Sequence, residues 1–141
     1  MAAGQARAYA EFHMKATHAS TASNGASARI GILGIAHRDF RPTQFYWTPT
    51  GADATGSSGV TYRQMVIYNG GTSGTGTQVL ASLNLVASLA SWGTRAFSAV
   101  TSATVLKDSV IYGVQTTVGS GDHANCVMVA GEVHGVLEFI G

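Results

Sequence analysis

Alternation of apolar and polar residues at a period of two is the sequence feature that most constrains what this chain can fold into. The alternation recurs along most of the 141 residues, and residues 60–69 show it clearly. A period of two puts successive side chains on opposite faces of a strand, whereas a helix needs about 3.6. Only residues 80–92 invite a helical interpretation, and their poor capping residues favour a strand followed by a loop. The sequence therefore predicts an all-β protein.

About eight alternating runs, separated by segments rich in Gly, Ser and Thr, are the predicted strands. They are residues 8–16, 28–37, 43–48, 60–69, 77–86, 94–100, 110–118 and 125–139. We expect the odd-numbered apolar residues from Val79 to Leu85 to share one face. The last run is one strand, or two halves that meet near Gly131. Eight antiparallel strands favour a two-sheet sandwich of the jelly-roll type, with an up-and-down barrel as the second choice.

The length and the low charge of the chain set its organisation and the character of its surface. Its 141 residues fit an N-terminal arm, residues 1–7, and a single β-sandwich domain, residues 8–141. Charged residues make up 11% of the chain, against about 25% in ordinary soluble domains. Ser, Thr and Gly cover the surface instead, and burying a hydroxyl that finds a partner costs far less than burying a charge. We therefore predict that much of the surface is buried against other protein chains.

Several classes of partner are disfavoured by the sequence. The net charge is +1 and no run of Lys or Arg occurs, so no nucleic acid is expected as a partner. No apolar stretch approaches the roughly 18 residues of a membrane helix, and residues 1–7 do not resemble a signal peptide. We expect the protein to work inside a cell, or on something that is assembled there.

Residues in catalytic or metal-binding patterns were sought, and none points to an enzyme. The single cysteine, Cys126, excludes an intrachain disulfide and a Cys-rich zinc site. The five histidines form no H-x-H or H-E-x-x-H pair, and most carboxylates fall in or beside predicted loops. Residues 71–76 lack the Lys that follows a phosphate-binding loop. We predict no catalytic residue, no cofactor and no metal.

Aromatic residues supply two candidates for contact with a partner. In the run Phe45-Tyr46-Trp47, the simplest interpretation places Phe45 and Trp47 inward and Tyr46 outward; the alternative is an aromatic anchor in a subunit interface. Trp92, at a predicted turn, suits either role. Tyr46 and Trp92 are therefore candidate contact residues.

Three arginines complete the set of candidate contact residues. Arg7 lies in the N-terminal arm, and Arg38 and Arg41 flank a predicted loop. Arginine tolerates desolvation better than lysine does, which suits an interface. The competing interpretation, a solvated loop arginine, remains open for each of them.

Part of the chain resembles the small jelly-roll capsid decoration (cement) proteins of tailed bacteriophages. The residues that carry the resemblance are Val-Leu-Ala-Ser-Leu-Asn-Leu (79–85), Thr-Arg-Ala-Phe (94–97), Val-Leu-Lys-Asp-Ser-Val-Ile (105–111), and a Gly-Ser-Gly-Asp turn (119–122) before Val-Met-Val (127–129). The resemblance covers roughly residues 60–139. It is one of pattern and composition, without a diagnostic motif.

The resemblance implies a function, a location and partners. It implies a homotrimer on the outer surface of a phage capsid, made in the host cytoplasm, that stabilises the shell. The partners would be further copies of the chain and the major capsid protein, contacted through the N-terminal arm and the lower face of the trimer. The family has no catalytic residues to carry over. The alternative function is a carbohydrate- or receptor-binding β-sandwich module of a phage tail or fibre, for which Tyr46, Tyr62 and Trp92 are the best candidates.

Overall fold

The computed structural model describes residues 11–18, 28–50, 62–85, 93–98, 103–118 and 130–140, with the backbone alone at 11–18, 28–30 and 117. These residues form strands and no helix, which confirms the predicted all-β class. The strands are β1 (Glu11–His18), β2 (Ala28–Ile35), β3 (Phe40–Pro49), β4 (Tyr62–Asn69), β5 (Gln78–Leu85), β6 (Arg95–Ala96), β7 (Val110–Val118) and β8 (Gly131–Phe139).

The strands form two four-stranded antiparallel sheets. Sheet 1 has the order β1-β8-β3-β6, and sheet 2 has the order β2-β7-β4-β5. The pairs β1–β8, β2–β7, β3–β6 and β4–β5 are those of one long hairpin with its tip between β4 and β5. Wrapping that hairpin brings β8 beside β3 and β7 beside β4, the arrangement of a jelly roll. The predicted jelly-roll sandwich is confirmed, and the barrel alternative is wrong because neighbouring strands are mostly not consecutive in sequence.

Strand boundaries follow the prediction most closely where a turn precedes the strand. The predicted strand 110–118 coincides with β7, and the run 43–48 is the centre of the longer β3. The run 94–100 contributes only the two residues of β6 and an isolated bridge between Ser82 and Ser98. That bridge joins the edge of sheet 2 to the chain that leaves sheet 1.

β3 contains a bulge that keeps its large aromatic residues inside. Pro42 pairs with Leu137 and Gln44 with Val136, which leaves Thr43 as the extra residue. The Thr43 hydroxyl donates a hydrogen bond to the carbonyl oxygen of Val136 at 2.9 Å. A one-residue insertion reverses the inward parity, so Phe40 and Pro42 point inward before the bulge, and Phe45 and Trp47 after it.

The predicted placement of the Phe-Tyr-Trp run is confirmed. Phe45 and Trp47 are fully buried, and Tyr46 points outward with 37% of its surface exposed.

A second bulge overturns one expectation for β5. The pairing shifts between Ile67 and Tyr68, so that Ala81 faces Ile67 but Val79 faces Tyr68. Leu80 and Ala81 are consequently both buried, and Val79 points outward with 47% of its surface exposed. The expectation that Val79 shares a face with Ala81 is wrong, because the extra residue reverses the parity of the strand.

Two glycines on the inward side of β8 make room for the aromatic rings of β3. Gly135 stands opposite Phe45, and a Cβ atom at Gly135 would lie 2.6 Å from the ring atom Cε1 of Phe45. The ring therefore lies across the backbone of β8 and fills the space that a side chain would take.

We predict that Gly135→Ala lowers the free energy of unfolding by about 2 kcal/mol, because overpacking in a filled core costs roughly 1–3 kcal/mol. The three atoms nearest to the added methyl group all belong to the Phe45 ring. A smaller side chain at residue 45 should relieve the clash. The double variant Gly135→Ala/Phe45→Leu should therefore be more stable than the sum of the two single changes predicts. Urea unfolding of the three variants measures this coupling. Strict additivity would contradict the packing described here.

The connections described at one end of the sandwich are short and are joined to one another by backbone hydrogen bonds. We call this the closed end: residues 36–39 between β2 and β3, residues 70–77 between β4 and β5, and residues 105–109 before β7. The backbone N–H of Ala36 donates to Ser109 O at 2.9 Å, and Phe40 and Val105 exchange two backbone hydrogen bonds. The hydrogen bonds between Phe40 and Val105 therefore connect the start of β3 in sheet 1 to the segment that leads into β7 in sheet 2.

Candidate protein interface

The outward face of sheet 1 is charged. The residues that can carry charge and whose register positions fall on this face are Glu11, His13, Lys15, Arg41, Glu132, His134 and Glu138. Tyr46 stands opposite His134, whose Nε2 lies 3.2 Å from Glu132 Oε2. A partner that covered this face would have to desolvate several charges of both signs.

The outward face of sheet 2 is different, because no described side chain on it is charged. We call it the uncharged face; its described outward residues are Ile32, Ile35, Tyr62, Gln64, Val66, Tyr68, Val79, Ser82, Asn84, Val110, Tyr112, Val114, Thr116 and Val118. Arg29, opposite Val114 on the edge strand β2, is the one charged residue whose register position falls there. Ile32 is 63% exposed and Ile35 is 55% exposed. Together with Val79 on the opposite edge strand, they expose aliphatic surface to solvent at both edges of this face.

Some polar groups on the uncharged face already have a hydrogen-bond partner within the chain. Gln64 Nε2 donates to Asn84 Oδ1 at 2.9 Å, and the Tyr112 hydroxyl donates to Gly76 O at 2.9 Å. The rings of Tyr68 and Tyr112 stack with their centroids 5.3 Å apart. Hydrogen bonds that are satisfied within the chain do not have to be replaced when the face is covered, so burial of this face costs little.

A second group of exposed side chains lies at the closed end. Leu106 is 60% exposed there. The Arg38 guanidinium carbon lies 5.4 Å from the centroid of the Phe139 ring. Asp39 Oδ1 accepts a hydrogen bond from Lys107 N at 2.8 Å, which holds the two connections together. This corner is rigid, but its charges make it less suited to close apolar contact than the uncharged face.

Three of the five predicted contact residues lie among the described residues. Arg41 and Tyr46 lie on the outward face of sheet 1, and Arg38 lies at the closed end. Arg7 and Trp92 lie outside the described residues. All five stay predictions.

The sequence analysis missed Ile32 and Ile35. In the sequence, each of them directly follows a glycine, Gly31 or Gly34. The pairing of β2 is irregular, so alternation along this strand did not show which residues point outward.

No group of three or more His, Cys, Asp or Glu side chains in the described ranges could hold a metal ion. Within the same ranges, no helix is long and apolar enough to span a membrane. Sheet 2 does offer an outward face with exposed aliphatic residues and no described charged side chain, a composition that suits protein–protein contact.

Comparison with known proteins gives a likeness in fold alone. No protein-family model matches the chain, and no curated protein does. One similar solved structure is the T13 viral particle of infectious bursal disease virus (TM-score 0.47, 13% identity, 92% of this chain and 31% of that chain). Another is the Gx strain of that virus (TM-score 0.33, 12% identity, 93% of this chain and 31% of that chain). The chain thus spans about a third of the length of the chains it matches. Both are virus structures, and the specific resemblance to phage decoration proteins stays a prediction.

Proposed function

We propose that this chain is a non-catalytic structural protein of a virus particle. In this proposal it binds the outer surface of a phage capsid as a homo-oligomer, a trimer by the resemblance, and stabilises the shell. Its partners are further copies of the chain and the major capsid protein. It acts by contact, and any ligand that binds the intact lattice better than separated subunits stabilises the lattice.

One observation carries the proposal most directly. The chain folds as a jelly roll, an architecture that occurs in viral capsid and lectin domains, and a whole sheet face of it exposes Ile32, Ile35 and Val79 without a described charge. An isolated soluble domain gains nothing from such a face, whereas a subunit of an assembly buries it. Several weak contacts per oligomer would also add to a high avidity on a repetitive shell.

Light scattering coupled to size-exclusion chromatography is the first test of the proposal. We expect a mass near three times 14.5 kDa, followed by co-sedimentation of the oligomer with capsids of the virus that encodes it. Capsids carrying the protein should open at a higher temperature than bare capsids. A monomer without affinity for capsids would contradict the proposal, and binding to a glycan array without capsid binding would instead favour the receptor-binding module.

A further inference from the structure

We propose that the uncharged face of sheet 2 is covered by a second copy of this chain. The inference deepens the proposed function, and it rests on the part that makes the protein a homo-oligomer. It assigns the two faces of the sandwich different roles: sheet 2 associates with a neighbouring copy, and the charged face of sheet 1 stays available to solvent or to the shell.

The chemistry of the face is the first reason for a second copy. A partner that recognises by charge needs opposite charges to meet, and the described side chains of this face offer none. Apart from Arg29 at the edge strand β2, recognition has to rest on apolar contact and on neutral hydrogen bonds. Interfaces between identical subunits have that composition, being more apolar than transient interfaces between different proteins. Most soluble oligomers are, moreover, built from identical chains.

The size of the face is the second reason. Four strands at about 4.8 Å spacing, each with about eight residues at 3.3 Å, cover on the order of 500 Å². A contact that buries this area and a similar area on the neighbour reaches about 1,000 Å² in total, the lower limit for a specific interface. The face alone therefore reaches the minimum area of a specific contact.

The state of the polar groups is the third reason. Gln64 is bonded to Asn84, and the Tyr112 hydroxyl is bonded to Gly76 O. Each pair satisfies one donor and one acceptor within the chain. The exposed aliphatic residues lie at the two edges, Ile32 on β2 and Val79 on β5, so the neighbour gains apolar contact at both edges of the sheet.

The test compares three single substitutions that each replace an exposed aliphatic residue with aspartate. Ile32→Asp and Val79→Asp place a carboxylate at opposite edges of the uncharged face. Leu106→Asp is the matched control, because Leu106 is about as exposed as Ile32 but lies at the closed end. Circular dichroism and a thermal melt first establish that each variant is folded.

We expect the unchanged chain and Leu106→Asp to elute with the same oligomeric mass. Ile32→Asp and Val79→Asp should shift toward 14.5 kDa at the same concentration, with association weakened about a hundredfold, because a buried unpaired carboxylate costs roughly 3 kcal/mol. If a face variant fails to fold, hydrogen–deuterium exchange of the unchanged chain replaces it. Protection of residues 110–118 should then rise with protein concentration.

The outcomes separate this inference from the proposed function. An oligomer that both face variants leave intact overturns the inference while capsid binding stands on its own. Face variants that dissociate support it even where the unchanged chain binds no capsid, a result that contradicts the virion function alone. An unchanged chain that stays monomeric overturns the inference and the oligomeric part of the proposal.

Discussion

Phe40→Ala should lower the free energy of unfolding by about 4 kcal/mol, since replacing a buried Phe by Ala costs roughly 3–5 kcal/mol. Phe40 is fully buried at the start of β3. Its ring lies 4.8 Å from the Phe139 ring and 6.0 Å from the His37 ring, measured between centroids. Its backbone N–H and carbonyl both bond to Val105. One side chain therefore fills the space where three segments of the closed end meet.

Urea unfolding, followed by tryptophan fluorescence, measures the effect. Phe40→Leu is the matched control and should cost about 1–1.5 kcal/mol, because it keeps most of the buried apolar volume. Phe139→Ala should cost less than Phe40→Ala, because Phe139 is only partly buried against the same core. A loss below about 1 kcal/mol for Phe40→Ala would contradict the burial of that ring.

The jelly roll could be predicted from the sequence because its strands are regular where local signals are strong. β7 follows Asp108, which adopts a left-handed backbone conformation with φ 67°, and its pairing with β4 then runs without a register shift to Val118. Phe45 and Trp47 lie inward as predicted, since two large aromatic residues at a spacing of two belong on a buried face. These features depend on nearby residues alone.

The uncharged face could not be predicted, because its assignment depends on bulges. β2 shifts register between Arg29 and Gly31 and again between Ile32 and Gly34, so counting alternate residues does not lead to the outward position of Ile32. The bulge at Leu80 reverses β5 in the same way. A bulge is a property of the pairing between two strands, and the alternation within one strand does not give its position.

β4 shows a second limit of sequence patterns. Arg63 is fully buried on the inward side of sheet 2, whereas Tyr62 and Tyr68 lie on the outward side. An outward face that is itself apolar removes the contrast on which an assignment of faces depends. The same property that makes the face a candidate interface therefore hid it from the sequence analysis.

Gly131→Ala should lower the free energy of unfolding by about 3 kcal/mol, at the upper end of the cost of overpacking. A Cβ atom at this first residue of β8 would lie 2.4 Å from Cη2 of the Trp47 ring and 2.6 Å from the carbonyl oxygen of Thr48. The indole could turn aside, but the carbonyl belongs to the backbone of β3, opposite β8. Relief therefore requires the two strands to separate, which weakens the pairing at the end of sheet 1. The loss of chain entropy in the unfolded state offsets only about 0.4–1 kcal/mol of this cost.

A thermal melt and urea unfolding test the prediction, with Gly71→Asn as the control. Gly71 has a left-handed φ of 63° and no atom within 4 Å of an added Cβ, and asparagine tolerates that conformation better than most residues do. We expect Gly71→Asn to cost less than about 1 kcal/mol and Gly131→Ala to lower Tm by roughly 10 °C. Trp47→Leu should recover only part of the stability lost in Gly131→Ala, because the contact with the Thr48 carbonyl remains. The recovery should be smaller than the one that Phe45→Leu gives to Gly135→Ala. Full restoration would mean that the ring alone limits the size of residue 131.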